Sequence, residues 1–395
     1  MPPRSGTRKA GPKAAEPARN PFVFGGVVGA AHFVDREPEC RQLEKDLRNC
    51  EKVFLISPRR FGKSSLVART LEQLPGRSFR TATLSVANAT TFRNFLERFT
   101  ATILAAAGPW EQVQHWVVTF VKSLKLDLDI DPWTHLPKVS LGHGASFDPT
   151  PLAPDIFALP GHLTARGRFR LVICLDEFQQ IRQFNGQGVE HMLREATQRQ
   201  PEVGYVIAGS QTTLMQNMLA PDRPFYKAGP TMLLKRIPPA AWIPYIKAQF
   251  HHQGRVITEA AVQQILATAD LVPYDVQRLA HEVWEFAEDT QVEGIDQPAV
   301  VQVTAQVVTR LQPVFEERWE SLPPGQRLVL QAIAAGQATK LYANPIRERF
   351  RLGPMSSVQK ALQLLVQGGV LDLDQHAPFF VDPLFAEWIR GHRDA

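Results

Sequence analysis

The chain has 395 residues, 44% of them hydrophobic and 21% charged, a balance that predicts a globular protein of two or three domains and excludes a chiefly disordered one. No apolar run approaches the length needed to cross a bilayer, and Cys40, Cys50 and Cys174 follow neither zinc nor disulfide spacing, so a soluble protein of a reducing cytoplasm is expected. The formal net charge of +5 is concentrated in residues 1–19, where Arg4, Arg8, Lys9, Lys13 and Arg19 stand against Glu16 alone.

That basic segment is rich in Pro, Gly and Ala and poor in aliphatic side chains, so it reads as a solvated tail, without the apolar core of a secretory signal. From Lys52 the run KVFLIS reads as a buried strand, followed by a loop of Pro, Gly and Arg and then the helical pattern SSLVARTLEQL. FRTATLSV from Phe79, RLVICLD from Arg170 and VGYVIAGS from Val203 have the Val, Ile and Leu content of strands covered on both faces. Separated by helical segments, these runs predict a three-layer α/β domain with a parallel sheet over residues 20–238, and MLLKRIP from Met232 supplies a candidate fifth strand. Near 125–161 the pattern is interrupted by Pro132, Pro137, Pro149, Pro151, Pro154 and Pro160, with Gly142 and Gly144, and reads as a long loop or insertion.

After Pro239 strand signals give way to helical periodicity, and WIPYIKAQFHHQG, TEAAVQQILATA and YDVQRLAHEVWEFAE predict a small helical lid over 239–305. Over 306–395 a long helix leads to PPGQRLVLQAIAAG, NPIRERFRL and SSVQKALQLLVQGG, then to VLDLD and PFFVD around a polar turn. Three helices and a hairpin are the layout of a winged helix.

The chemistry lies in two segments. Ser57-Pro58-Arg59-Arg60-Phe61-Gly62-Lys63-Ser64 matches the phosphate-binding pattern G-x-x-x-x-G-K-[ST] except for Ser57 at the first glycine. It lies between a predicted strand and a predicted helix, so the loop from Pro58 to Ser65 forms the candidate cradle for an anion at the helix start, with the backbone N–H groups from Arg59 onward as its donors. In this arrangement Lys63 neutralises the β- and γ-phosphate oxygens, and Ser64 offers its hydroxyl to Mg²⁺. Arg59 and Arg60 either flank the phosphates, touch nucleic acid or stand in solvent. About a hundred residues on, the strand Leu171–Leu175 delivers Asp176 and Glu177 to the sheet's C-terminal edge, where Mg²⁺-ATP hydrolysis needs one carboxylate for the metal and one for the attacking water. Asp176 is assigned to the metal and Glu177 to the water. At the end of the next strand, Ser210 or Gln211 is placed to sense the γ-phosphate.

Other features point elsewhere. His251-His252 has no third ligand at metal spacing and reads as a solvated helix end. Cys174 between Ile173 and Leu175 reads as core. Residues 321–395 carry eight Lys and Arg against six Asp and Glu, and the third helix of the winged segment offers one lysine, Lys360, so attraction for DNA is weak.

These segments resemble the AAA+-like and STAND-like predicted ATPases known as the archaeal-type ATPase family. The matching pieces run from NPFVFGG at Asn20 and FVDRE at Phe33 through SPRRFGKSS, LVICLDEFQQI, VGYVIAGSQTTLM, RPFYKAG and VPYDVQRLA to PPGQRLVL and VDPLFAEWIR, nearly the full length. The departures are Ser57 and Asp35 where the family usually has Gly, and the proline-rich stretch before Asp176. The resemblance implies an ASCE-type P-loop sheet with Asp176 and Ser210 on neighbouring strands, a helical lid and a C-terminal winged helix. It also implies Glu177 as the catalytic carboxylate and Phe33 to Glu37 near the adenine. Arg223 and Lys227 lie where such proteins place a phosphate-sensing cation, and Arg278 lies where a lid residue reaches the γ-phosphate, with plain surface charge as the alternative for each. The expected function is an ATP-hydrolysing switch that couples its Mg²⁺-ATP state to a partner or to self-association through the winged helix. The alternative is a DNA-binding regulator that binds ATP with little turnover.

Overall fold

The computed structural model describes residues 20–107, 126–130, 137–142, 147–184, 187–252, 254–374 and 377–392. The basic tail, Pro132 and Gly144 lie outside them. At the centre is a five-stranded parallel sheet of β1 (Lys52–Ile56), β2 (Phe79–Ser85), β5 (Arg170–Asp176), β6 (Val203–Gly209) and β7 (Thr231–Leu233), in the order β2-β5-β6-β1-β7. Alternate residues of the central strands serve opposite faces, as the pleat requires. Val53, Leu55, Val172, Cys174 and Val206 pack with Leu43, Leu47 and Leu66 from α1 (Glu37–Arg48) and α2 (Lys63–Gln73). Phe54, Ile56, Ile173, Leu175 and Ile207 pack on the other face with Phe95 and Phe99 of α3 (Phe92–Ala106), Phe157 of α4 (Ala153–Gly167) and Leu193 of α5 (Gln187–Gln198). The result is the three-layer P-loop domain expected from the alternation of strands and helices, with β6 between the loop-bearing strand β1 and the carboxylate-bearing strand β5.

The stretch near 125–161 departs from its reading as a long loop. β3 (Leu126–Ile130) pairs antiparallel with β4 (Pro137–Leu141), whose Val139 and Leu141 are buried against α3. The Glu97 carboxylate accepts the Leu141 N–H at 2.9 Å, and Arg93 donates to the Gly142 carbonyl at 2.6 Å. From Ala153 the chain is helical despite its prolines. Pro154 falls in the first turn, where no amide donor is needed, and the buried stripe Ile156, Phe157, Leu159, Pro160 and Leu163 compensates for the one interior bond that Pro160 removes.

Beyond the sheet, α6 (Thr212–Met218) follows β6, and α7 (Pro239–His252), α8 (Glu259–Thr268) and α9 (Pro273–Asp289) form the helical region. A short parallel pair, β8 (Val256–Ile257) with β9 (Gly294–Ile295), ties its loops together where the sequence signalled no strand. The 24-residue helix α10 (Gln297–Glu320) runs through the position between 305 and 306 and leads into α11 (Pro324–Ala334), α12 (Asn344–Phe350), α13 (Met355–Gln367), the hairpin β10 (Leu371–Asp374)–β11 (Ala377–Phe380) and α14 (Pro383–Gly391). One apolar cluster joins Phe22 and Trp242 through Val283 and Phe315 to Phe385 and Trp388. The helical region and the winged helix thus share a continuous core.

Candidate nucleotide site

β1 ends at Ile56, and the loop from Ser57 to Gly62 leads directly into α2. Gly62 turns the chain at φ 86°, a left-handed conformation that glycine adopts without strain. Among the described residues no side chain caps the start of α2, so its first amides stay available to an anion. Ser57 is fully buried and is not among the described residues of positive φ. Its amide donates to the Gly209 carbonyl at 3.2 Å and its hydroxyl to the Pro58 carbonyl at 2.9 Å. A serine therefore fits where the loop pattern has glycine, because this position does not need glycine's conformational range. Asp35 is the opposite case. It adopts φ 57°, the left-handed region in which short polar side chains are the tolerated substitutes for glycine.

Lys63, only 7% exposed, places its Nζ 2.5 Å from Asp176 Oδ1 and 2.9 Å from Glu177 Oε1. Asp176 closes β5, and its Oδ1 accepts the Glu177 N–H at 2.8 Å. Glu177 then turns left-handed at φ 52°, which directs the chain out of the sheet. Its Oε2 accepts hydrogen bonds from Ser210 Oγ and from Gln179 Nε2, each at 2.7 Å. Burial alone would raise the Glu177 carboxyl, but Lys63, Ser210 and Gln179 outweigh it and hold the group below the usual glutamate range. Ser64 is exposed at the helix start, while Ser65 is buried and accepts the Val28 N–H at 3.1 Å. Among the described residues no three His, Cys, Asp or Glu gather into a metal-holding group. The exposed Ser64 hydroxyl and the part-exposed Asp176 carboxylate are oxygen donors of the kind a hard cation takes.

A cavity of about 250 Å³ opens over this loop, lined by Pro58 to Ser65, Glu177 and Ser210 together with Phe33, Val34 and Arg36. Arg223, Lys227 and Arg278 do not line it: Arg223 lies 3.8 Å from Asp222, Lys227 is exposed over the Tyr226 ring, and Arg278 lies beside Asp275. Gln211 lies with Ser210 on a second cleft, of about 920 Å³, between α6 and the α13 face bearing Gln359, Gln363 and Gln367. Burial pushes the Cys174 thiol up to about 12, consistent with core packing. His251 and His252 are exposed at the end of α7.

Sequence reasoning missed where Arg60 goes. Its guanidinium turns away from the loop to Asp275 on α9, at 3.7 Å, and to Asp382, the N-cap of α14, at 3.2 Å, and lies 4.8 Å from the centre of the Tyr274 ring. Beside it Phe61 packs with Val272 and with Phe379 of the hairpin, and Thr212 donates to Asp372 at 3.3 Å. The winged helix thus rests on the loop itself. The one available signal was Asp275, a carboxylate within the apolar stripe of α9.

Residues 313–391 match a family model described as a probable winged helix domain. No curated protein matches the chain. Among solved structures, the chain is similar to the Walker-type ATPase PABY2304 of Pyrococcus abyssi, at 18% identity over 91% of this chain and 97% of that one, with a TM-score of 0.62. It is also similar to the ORC2 protein of Aeropyrum pernix, described in ADPNP–ADP complexes, at 15% identity over 90% and 93%, with a TM-score of 0.53. What the chain shares with these structures is the fold, with its parallel central sheet of the P-loop ATPase kind, and its own residues 313–391 carry the winged-helix match.

Proposed function

We propose that the chain is an AAA+/STAND-like ATPase, a switch that binds and hydrolyses Mg²⁺-ATP and transmits its nucleotide state through the winged helix. The observation that carries this reading is the cluster of Lys63, Asp176, Glu177 and Ser210 at the C-terminal edge of a parallel sheet, directly beside an uncapped helix start. Lys63 is held by two carboxylates, so an arriving triphosphate competes for its charge and draws it toward the β- and γ-oxygens. The loop from Pro58 to Ser65 cradles the phosphates with the backbone N–H groups from Arg59 onward. Ser64 and Asp176 would hold Mg²⁺, which when bound offsets charge on the phosphate oxygens. Glu177, kept ionised by its neighbours and freed of Lys63, polarises the attacking water, while Ser210 and Gln179 hold its other oxygen in place.

The coupling path is short. Arg60 and Phe61 of the loop touch Asp382 and Phe379 of the winged helix, so a shift of the loop on phosphate binding changes the contacts that seat that domain. The DNA-regulator alternative is less well supported, because the α13 face turns toward the α6 cleft and bears glutamines where duplex binding calls for basic side chains. The test is nucleotide binding and phosphate release by the purified chain, with and without DNA. Glu177→Gln is expected to keep Mg²⁺-ATP bound while turnover collapses. Loss of ATP affinity with turnover per bound nucleotide retained would overturn the roles given to the two carboxylates.

A further inference from the structure

The cleft of about 920 Å³ between α6 and α13 has no part in the nucleotide chemistry, yet it adjoins it, because Arg59 and Ser210 line both this cleft and the 250 Å³ cavity. Its size is that of a site that encloses a ligand. Leu214 of α6, Leu362 and Val366 of α13, and Tyr342 give it apolar surface, and Leu214 and Tyr342 are 36% and 43% exposed. Five side-chain amides share the lining: Gln211, Asn217, Gln359, Gln363 and Gln367. None of these amides makes a hydrogen bond among the described residues.

Gln359, Gln363 and Gln367 recur every fourth residue, so they form a row along α13 with a step of about 6 Å. Two residues of an extended chain advance about 6.6 Å, and every second residue presents its N–H and its C=O to the same side. A side-chain amide both donates and accepts, so each glutamine of the row can meet one such residue. The row is about 12 Å long, which is the length of about four extended residues. Side chains of such a segment alternate in direction, so every other one faces the apolar walls.

Charge narrows the ligand further. Arg59 is exposed and has no hydrogen bond or ion pair among the described residues. A Cβ on Gly369 would lie 3.8 Å from its Nη1, so the guanidinium stands past the Gln367 end of the row. Asp372, the one acid in the lining, is 7% exposed and already accepts from the Thr212 hydroxyl and the Leu373 N–H. The cleft therefore offers a single unpaired cation among neutral amides. That is too little for a nucleic-acid backbone, whose binding grows with the number of phosphates neutralised, and it suits one carboxylate.

We infer that this cleft binds an extended polypeptide segment of a protein partner. The segment lays its peptide groups on Gln359, Gln363 and Gln367, turns alternate apolar side chains toward Leu214, Leu362 and Val366, and sets a carboxylate on Arg59. Since Arg59 belongs to the phosphate loop, an occupied cleft holds that loop by its arginine. The inference does not depend on the ATPase reading, and its test is made without nucleotide.

The experiment is selection of a phage-displayed library of random heptapeptides on the full chain. The enriched peptide is then synthesised and its affinity measured by fluorescence anisotropy for the parent, Gln363→Leu and Arg59→Met. Both side chains are exposed and bond to nothing among the described residues, so both variants are expected to fold. Enriched sequences should carry apolar residues at alternate positions and an acidic residue at one end. Gln363→Leu should weaken the peptide about tenfold. Replacing the peptide's acid by its amide should weaken binding to the parent about tenfold and leave binding to Arg59→Met unchanged. Failure to enrich any sequence overturns the inference, and so does a peptide that binds both variants as tightly as the parent. Binding of single-stranded oligothymidylate that is lost in Gln363→Leu also overturns it, and assigns the cleft to nucleic acid.

Discussion

Asp275→Asn isolates the energetic cost of the buried acid beneath the phosphate loop. The Asp275 side chain is 0% exposed, neither carboxylate oxygen has a hydrogen-bond partner among the described residues, and Arg60 Nη1 approaches no nearer than 3.7 Å. Burial pushes its carboxyl up to about 7; Arg60 opposes this, Asp382 adds to it and Arg278 opposes it weakly. The ordinary value is 3.8, so between pH 3.8 and 7 the folded chain holds a proton that the unfolded chain has lost. Stability therefore falls as pH rises through that window and is level above it. The gap corresponds to about 4 kcal/mol in total, roughly 2 to 3 kcal/mol of it between pH 5 and pH 8. Asparagine keeps the shape and carries no charge, so the stability of Asp275→Asn relative to the parent should climb with pH by that amount and then plateau. Urea unfolding at pH 5, 6, 7 and 8 measures it. Parallel pH profiles for the two proteins would refute the reasoning, since they would mean that Arg60 and its surroundings compensate the charge fully.

The remaining predictions concern the loop, the sheet edge and the winged helix. Lys63→Ala should abolish nucleotide binding or turnover, measured by titration and phosphate release, because the loop loses the cation held at Asp176 and Glu177. Gly209→Ala should lower turnover about tenfold with ATP affinity nearly kept. Its Cβ would lie 2.4 Å from Met215 Cγ and 2.6 Å from Gln179 Oε1, displacing the amide that positions Glu177. Phe379→Ala removes the contacts with Phe61 and Arg236, and should raise hydrogen exchange in 355–367 while leaving β1, β5 and β6 protected. Any duplex binding should weaken, with a flatter salt slope, on deletion of residues 1–19, and should be little changed by Lys360→Ala, as measured by a salt titration of affinity.

The sequence by itself determined the sheet and the chemistry at its edge. β1, β5 and β6 are covered on both faces, so they appear as continuous apolar runs that no other element imitates at that length. Lys63 and Asp176-Glu177 were legible because each belongs to a local pattern at the end of such a strand, and the parallel order then brings those ends together. Helix α4 was hidden because its prolines are local signals of interruption, whereas the burial of Ile156, Phe157 and Leu163 that sustains it comes from the sheet behind. The two-residue strands β8 and β9 carry no periodicity at all; each exists only because the other is beside it. Arg60 could be read from the sequence as a phosphate contact, a nucleic-acid contact or a solvated side chain, since nothing near it in the chain announces Asp275 or Asp382. The Gln277 amide likewise meets the His32 carbonyl, brought to it from the far end of the chain. Local propensity and pattern are written within a few residues, but the partner of a buried charge or amide is fixed by packing between distant segments, and only the tertiary structure decided it.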